Sequence, residues 1–115
     1  MDSMTKQTKD SVHLITIRGR VQQDDSTELE EALEDALNNG NYQIVVDLID
    51  VKHICSTALG VLVSMKRRLR RNNGDIKIAV ADGDVKNLLQ ITMLDRVFEL
   101  HDSQENALRA SNAAG

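Results

Sequence analysis

The run Ile44-Val45-Val46-Asp47-Leu48 constrains this chain more than any other stretch. It is rich in β-branched residues and nearly continuous in apolar character, the pattern of a strand buried on both faces and so of a central strand. After Ile49 to Ile54 come Cys55-Ser56-Thr57, and from Ala58 onward apolar residues fall at helical spacing. Ser56 or Thr57 is therefore expected where a helix begins. A hydroxyl there can accept from the first free backbone N–H groups, and the positive end of the helix dipole would favour a phosphate attached to that oxygen.

The flanking segments supply what a central strand needs. Met4 to Lys9 reads as a short edge strand that turns at Lys9-Asp10 into Ser11 to Arg18. In the latter, Val12, Leu14 and Thr16 share one face and Ile15 and Ile17 the other, so an antiparallel hairpin ending at Gly19 is expected. Asp24-Asp25-Ser26-Thr27 is a cluster of capping residues, with Thr27/Glu30 and Asp25/Glu28 at capping-box spacing. Leu29, Ala32, Leu33, Ala36 and Leu37 then give an apolar helical stripe, stopped by Asn38-Asn39-Gly40.

Beyond the central strand, a helix from Thr57 to Asn72 should bury Ala58, Leu62, Met65 and Leu69, and Asn72-Asn73-Gly74 should end it. Asp75 to Ala81 is the next strand, so a right-handed strand–helix–strand crossover makes the two strands parallel. Asp82-Gly83-Asp84 is expected to cap a short helix over 85–91, Arg96 to Leu100 to form a last strand, and Ser103-Gln104-Glu105 to open a final helix through Leu108. The expected fold is α/β: a mixed sheet of four or five strands, with about four helices packed mainly on one side. A chain of 115 residues suits one domain and one core, with residues 1–3 and 111–115 fraying.

Composition narrows the function. Proline is absent and the aromatics are Tyr42 and Phe98, so the core is aliphatic. Fourteen basic against eighteen acidic residues give a net charge of −4, which opposes general nucleic-acid binding. No stretch reaches the length of a membrane span, and the polar start MDSMTKQTKD has no apolar signal core, so a cytoplasmic protein is expected. The single cysteine agrees with a reducing compartment. His53 and Cys55 could donate to a metal, but His13 and His101 stand apart in sequence, so neither a metal nor another cofactor is expected. No nucleophile–base–acid order, paired catalytic carboxylates or glycine-rich phosphate loop is present, which points away from an enzyme. Lys66-Arg67-Arg68 and Arg70-Arg71 form one basic run near a helix C-terminus, where a solvated face and a favourable dipole account for them.

In order and wording, these segments resemble the STAS domains, specifically the small bacterial anti-sigma factor antagonists. The resemblance covers nearly the whole chain and rests on Gly19 with Val21, the capped helix, IVVDL, Val51-Lys52-His53-Ile54, Ser56-Thr57-Ala58-Leu59-Gly60, the long helix ending NNGD, Val85 to Leu89, Met93-Leu94 and Gln104 to Leu108. It implies a STAS-like fold and a partner-switching regulator of sigma-factor-dependent transcription. Ser56 aligns with the serine phosphorylated by a partner that is both anti-sigma factor and serine kinase, and a serine phosphatase reverses the modification. Thr57 is the lesser acceptor, and Cys55, Ser56, Thr57, Ala58 and Gln22 are expected at the partner interface. The family motif D-S-[ST]-G-L-G has its aspartate replaced by Cys55 and its first glycine by Ala58, and a usual acidic residue near the second strand is Gln22. Two carboxylates beside the acceptor have thus become neutral. This motivates two alternatives: a phosphorylation-independent STAS subunit, such as one serving a lipid-transport ATPase, and a redox or small-ligand sensor centred on Cys55.

Overall fold

The computed structural model describes residues 1–114. Five strands, β1 (Ser3–Lys9), β2 (Val12–Val21), β3 (Gln43–Ile54), β4 (Asp75–Ala79) and β5 (Glu99–His101), lie side by side in sequence order. The β1–β2 hairpin is antiparallel and every other pair is parallel. Four helices alternate with the strands: α1 (Ser26–Asn38), α2 (Ser56–Arg70), α3 (Asp84–Ile91) and α4 (Gln104–Ala114).

The central strand is β3, as its composition requires. Ile44, Val46 and Leu48 enter the main core with the apolar stripes of α1, α2 and α3, while Val45 meets Val12, Leu14, Ala79 and Ala107 on the opposite face, beneath α4. The helices are thus divided three to one. Full burial of Leu33, Leu62 and Leu69 ties the helical stripes to the sheet, and truncating such a leucine to alanine costs about 2–5 kcal/mol.

Several boundaries differ from the sequence expectation, each for a local reason. β2 does not stop at Gly19 but passes through it to Val21, because Gly19 adopts φ +92°, a conformation that glycine takes without strain. β3 runs on to Ile54, paired with that extension and carrying two irregularities in register. In the second, Gly19 faces Val51 and Arg20 faces His53, which leaves Lys52 as the extra residue of a bulge. β4 ends at Ala79, and β5 is shifted to 99–101 because Leu94–Arg96 forms a 3-10 turn instead. α4 continues past Leu108 to Ala114, opened by Ser103, whose Oγ accepts from Asn106 N at 3.1 Å. The expected fraying of 111–115 therefore does not describe 111–114, and Gly115 lies outside the described residues. Residues 1–3 do not fray either: Asp2 N donates to Arg18 O, and the Met1 ammonium binds Asp25 Oδ2 at 2.8 Å.

The helix starts also differ. Asp25 closes a capping box with Gln22, accepting from Gln22 N, rather than pairing with Glu28. At α3 the N-cap is Gly83, without a side-chain cap, while Asp82 binds Lys86 at 2.9 Å. At α2 the cap is Cys55, whose Sγ accepts from Ala58 N at 3.5 Å, and Ser56 and Thr57 are the first two helical residues. At the far end of α2, Asn73 takes the left-handed conformation and Gly74 passes so close to Tyr42 that any Cβ would overlap the Tyr42 carbonyl.

Two buried charges beneath α4 are paired, whereas the buried Ser111 hydroxyl on α4 has no partner among the described residues. Asp47 is buried, accepting from Ile49 N at 2.8 Å and from Gln104 Nε2 at 2.7 Å. Lys77 lies between Glu99 at 2.7 Å and Asp75 at 3.7 Å, and its hydrogen bond holds the Glu99 carboxyl below the ordinary glutamate range. By contrast His13 has a buried Nδ1 without a partner, and desolvation, followed by the charge of Lys6, lowers its pKa.

Two predictions follow from these local arrangements. A histidine whose folded pKa is lowered takes up protons more readily when unfolded, so stability is lost as pH falls below about 6.5. Urea unfolding should show lower stability at pH 5.5 than at pH 7.5, and His13→Leu should reduce that difference; an unchanged difference would refute the assignment. Sulfur is a weak acceptor, so Cys55→Asp, placing a carboxylate at the α2 N-cap, should raise unfolding free energy by about 1 kcal/mol. Thermal and urea unfolding of Cys55→Asp against wild type measure this directly.

Candidate functional site

The C-terminal ends of β2 and β3 bring the sequence-predicted residues together. Cys55 N donates to Val21 O at 2.9 Å, which closes the parallel ladder immediately before α2 turns away. Beside it, the turn over 22–26 is held in three ways. Asp25 accepts from both Gln22 N and the Met1 ammonium, which lower its pKa, the ammonium contact contributing most. Ser26 Oγ lies 3.5 Å from Cys55 Sγ. Thr57 Oγ1 donates to Gln23 Oε1 at 2.7 Å.

Within this frame the residues play different parts. Ser56 is exposed at the first position of α2, and its hydroxyl makes no hydrogen bond among the described residues. Thr57 is exposed as well, but its hydroxyl is engaged by Gln23. Cys55 is half-buried and acts as the cap; Gln22 is exposed at the rim. Ala58, expected at the interface, is fully buried beneath α2, so its side chain packs the helix against the core instead of meeting a partner. The first turn of α2 contains no acidic residue.

A groove of about 370 Å³ starts at Ser56 and follows α2 along Leu59, Gly60, Val63, Ser64 and Arg67, with Thr92 and Leu94 as its opposite wall. Its lining is mainly apolar, and Ile91, 80% exposed, and Met93, 59% exposed, extend the apolar surface beside it. Gly60 is unexpected there. Inside a helix a glycine costs roughly 1 kcal/mol relative to alanine, yet a Cβ at this position would meet nothing within 4 Å. Neither packing nor backbone conformation within the chain asks for glycine at this point.

Sequence reasoning missed this groove. Its signals were a glycine in mid-helix and the apolar pair Ile91 and Met93, which fall outside the buried face of α3. The basic run, read as one solvated face, is divided by the structure. Lys66 binds Asp75 at 2.6 Å and lies over the Phe98 ring, Arg68 binds Glu34 at 3.0 Å, and Arg67 lines the groove. Among the described residues no three His, Cys, Asp or Glu side chains cluster to hold a metal, and no helix is long and apolar enough to cross a membrane.

Comparison with known proteins agrees with this architecture. Residues 4–102 match the family model described as Mlab, STAS domain. A Thermotoga neapolitana protein described as a candidate anti-sigma factor antagonist homologue is 32% identical over 75 residues, which span 65% of this chain and 66% of that protein. The anti-sigma-B factor antagonist of Staphylococcus aureus is 26% identical over 98 residues, 85% of this chain and 91% of the relative. Among solved structures, an anti-sigma factor antagonist from Mycobacterium paratuberculosis superposes with a TM-score of 0.86 at 21% identity, covering 95% of this chain and 92% of that one. The Bacillus protein SpoIIAA in its phosphorylated form gives 0.70 at 12% identity, covering 94% and 98%. By its matched family model, which spans residues 4–102, the chain belongs to the STAS domain family.

Proposed function

We propose that this protein captures an anti-sigma factor that is also a serine kinase, and that phosphorylation of Ser56 ends the association until a serine phosphatase restores the hydroxyl. The observation that carries this reading is the position of Ser56: exposed, without a hydrogen-bond partner among the described residues, and at the mouth of an apolar groove. Thr57 is the poorer acceptor because its hydroxyl is already donated to Gln23. The protein acts as a binding module rather than as a catalyst, in the cytoplasm where sigma factors work.

The physics of such a switch is local. A phosphate adds about −1.5 to −2 charge and three acceptor oxygens at a helix N-terminus, where an interface that fitted a hydroxyl would have to bury a dianion. A few kcal/mol of lost desolvation balance changes affinity by orders of magnitude. The exposed apolar wall and Gly60 support a partner surface that approaches α2 closely.

A second reading is favoured by the neutral residues at positions 22 and 55: a STAS subunit that binds its complex without phosphorylation, for example in a lipid-transport ATPase. Co-purification with an ATPase in place of a sigma regulator would select it.

Incubation with the partner kinase, ATP and magnesium should add one phosphate to the wild type and none to Ser56→Ala, as read by intact mass; no addition to either would remove the switch. Ser56→Asp should weaken kinase binding at least about tenfold in a calorimetric titration. Gly60→Leu should keep or raise stability by up to about 1 kcal/mol while weakening the same association more than about tenfold. Unchanged affinity would take the groove out of the interface.

A further inference from the structure

A second cleft lies at the same end of the sheet, between the ends of β2 and β3 and the start of α3. It has a volume of about 140 Å³ and is lined by Arg20, Lys52, His53, Ile54, Asp84, Val85 and Leu88. Arg20 and Lys52 are exposed and form no ion pair or side-chain hydrogen bond among the described residues, in a chain whose net charge is −4. His53 is likewise unpaired and lies directly opposite Arg20 in the strand register.

We infer that this cleft binds a single phosphate group, held by Arg20 and Lys52 with His53 as a third donor. The backbone supports the assignment. The bulge that leaves Lys52 unpaired in register, and the positive φ of Gly19 just before Arg20, bring the three side chains to one opening; bulges of this kind redirect side chains at functional positions. Arg20 offers a planar fork suited to two phosphate oxygens and Lys52 a point charge. The Asp84 carboxylate on the wall offsets one of these charges, so Arg20, Lys52 and Asp84 sum to +1 before any contribution from His53. Val85 and Leu88 form the apolar side of the cleft. The volume of about 140 Å³ admits one tetrahedral oxyanion. The phosphate can be free or the terminal group of a small phosphomonoester; the chemistry of recognition is the same. This assignment stands apart from the role of Ser56 and survives if that serine is never phosphorylated.

The test is an NMR titration of the isotope-labelled full-length chain with sodium phosphate at constant ionic strength, repeated with glycerol 2-phosphate. Saturable amide shifts at Arg20, Lys52, His53 and Val85, in the low millimolar range or tighter, are expected for at least one of the two, and the tighter ligand identifies the source. Arg20→Ala and Lys52→Ala should each weaken binding about tenfold, and Asp84→Asn should strengthen it. Lys9→Ala, which removes a positive charge at the opposite end of the sheet, should leave it unchanged. Linear shifts without saturation for both ligands, or equal weakening by Lys9→Ala and Lys52→Ala, would overturn the proposal.

Discussion

The parallel ladder between β2 and β3 is the constraint on which the rest of the site depends. It continues beyond the buried centre of the sheet to Ile54, and its last backbone bond, Cys55 N to Val21 O, fixes where the chain leaves the sheet and α2 begins. Had β2 stopped at Gly19, that backbone bond would be lost, and the start of α2 would be tied to the turn over 22–26 by the side-chain contacts of Ser26 and Gln23 alone. A glycine at φ +92° is therefore part of the site although it lies well before Ser56 in sequence. Because every amide in the ladder must be paired or solvated, the placement of the site follows from backbone hydrogen bonding rather than from the chemistry of its side chains.

Charge at this end of the molecule differs from that of the chain as a whole. Net acidity is spread over α1 and the loops; the rim of the site has Gln22, Cys55 and no acid in the first turn of α2, but Asp24 and Asp25 lie in the adjoining turn, Asp25 paired with the Met1 ammonium, and Arg20, Lys52, His53 and Asp84 line the neighbouring cleft. A phosphate on Ser56 would add a dianion to a rim that already carries the Asp24 and Asp25 carboxylates. Its effect on association would come from the partner's side of the interface and from the cost of desolvating a dianion.

Much of the fold was legible because the signals were periodic and redundant. Ile44 to Leu48 had to be central, the stripe from Leu29 to Leu37 had to face a sheet, and the order of elements admitted a right-handed crossover. What was not legible depended on contacts between distant segments. Gly19 looked like a stop because a single sequence does not show that a neighbouring strand continues to pair past it. Ser56 and Thr57 looked like caps because hydroxyls usually are, whereas the backbone places Cys55 at the cap and leaves Ser56 facing water. Ala58 is next to the acceptor in sequence but points inward, a consequence of helical rotation of about 100° per residue. The groove was hidden for a related reason: its walls come from α2 and from the turn after α3, and neither half is distinctive alone.

The uneven cover of the sheet has a mechanical consequence. One face carries three helices and most of the core, whereas α4 seals the other through a small apolar patch and the bonds of Asp47, and β5 spans only three residues. Amide protons of β5 and α4 should therefore exchange through a local opening of lower free energy than that of β2 and β3. Such an opening would begin on the face opposite the main core.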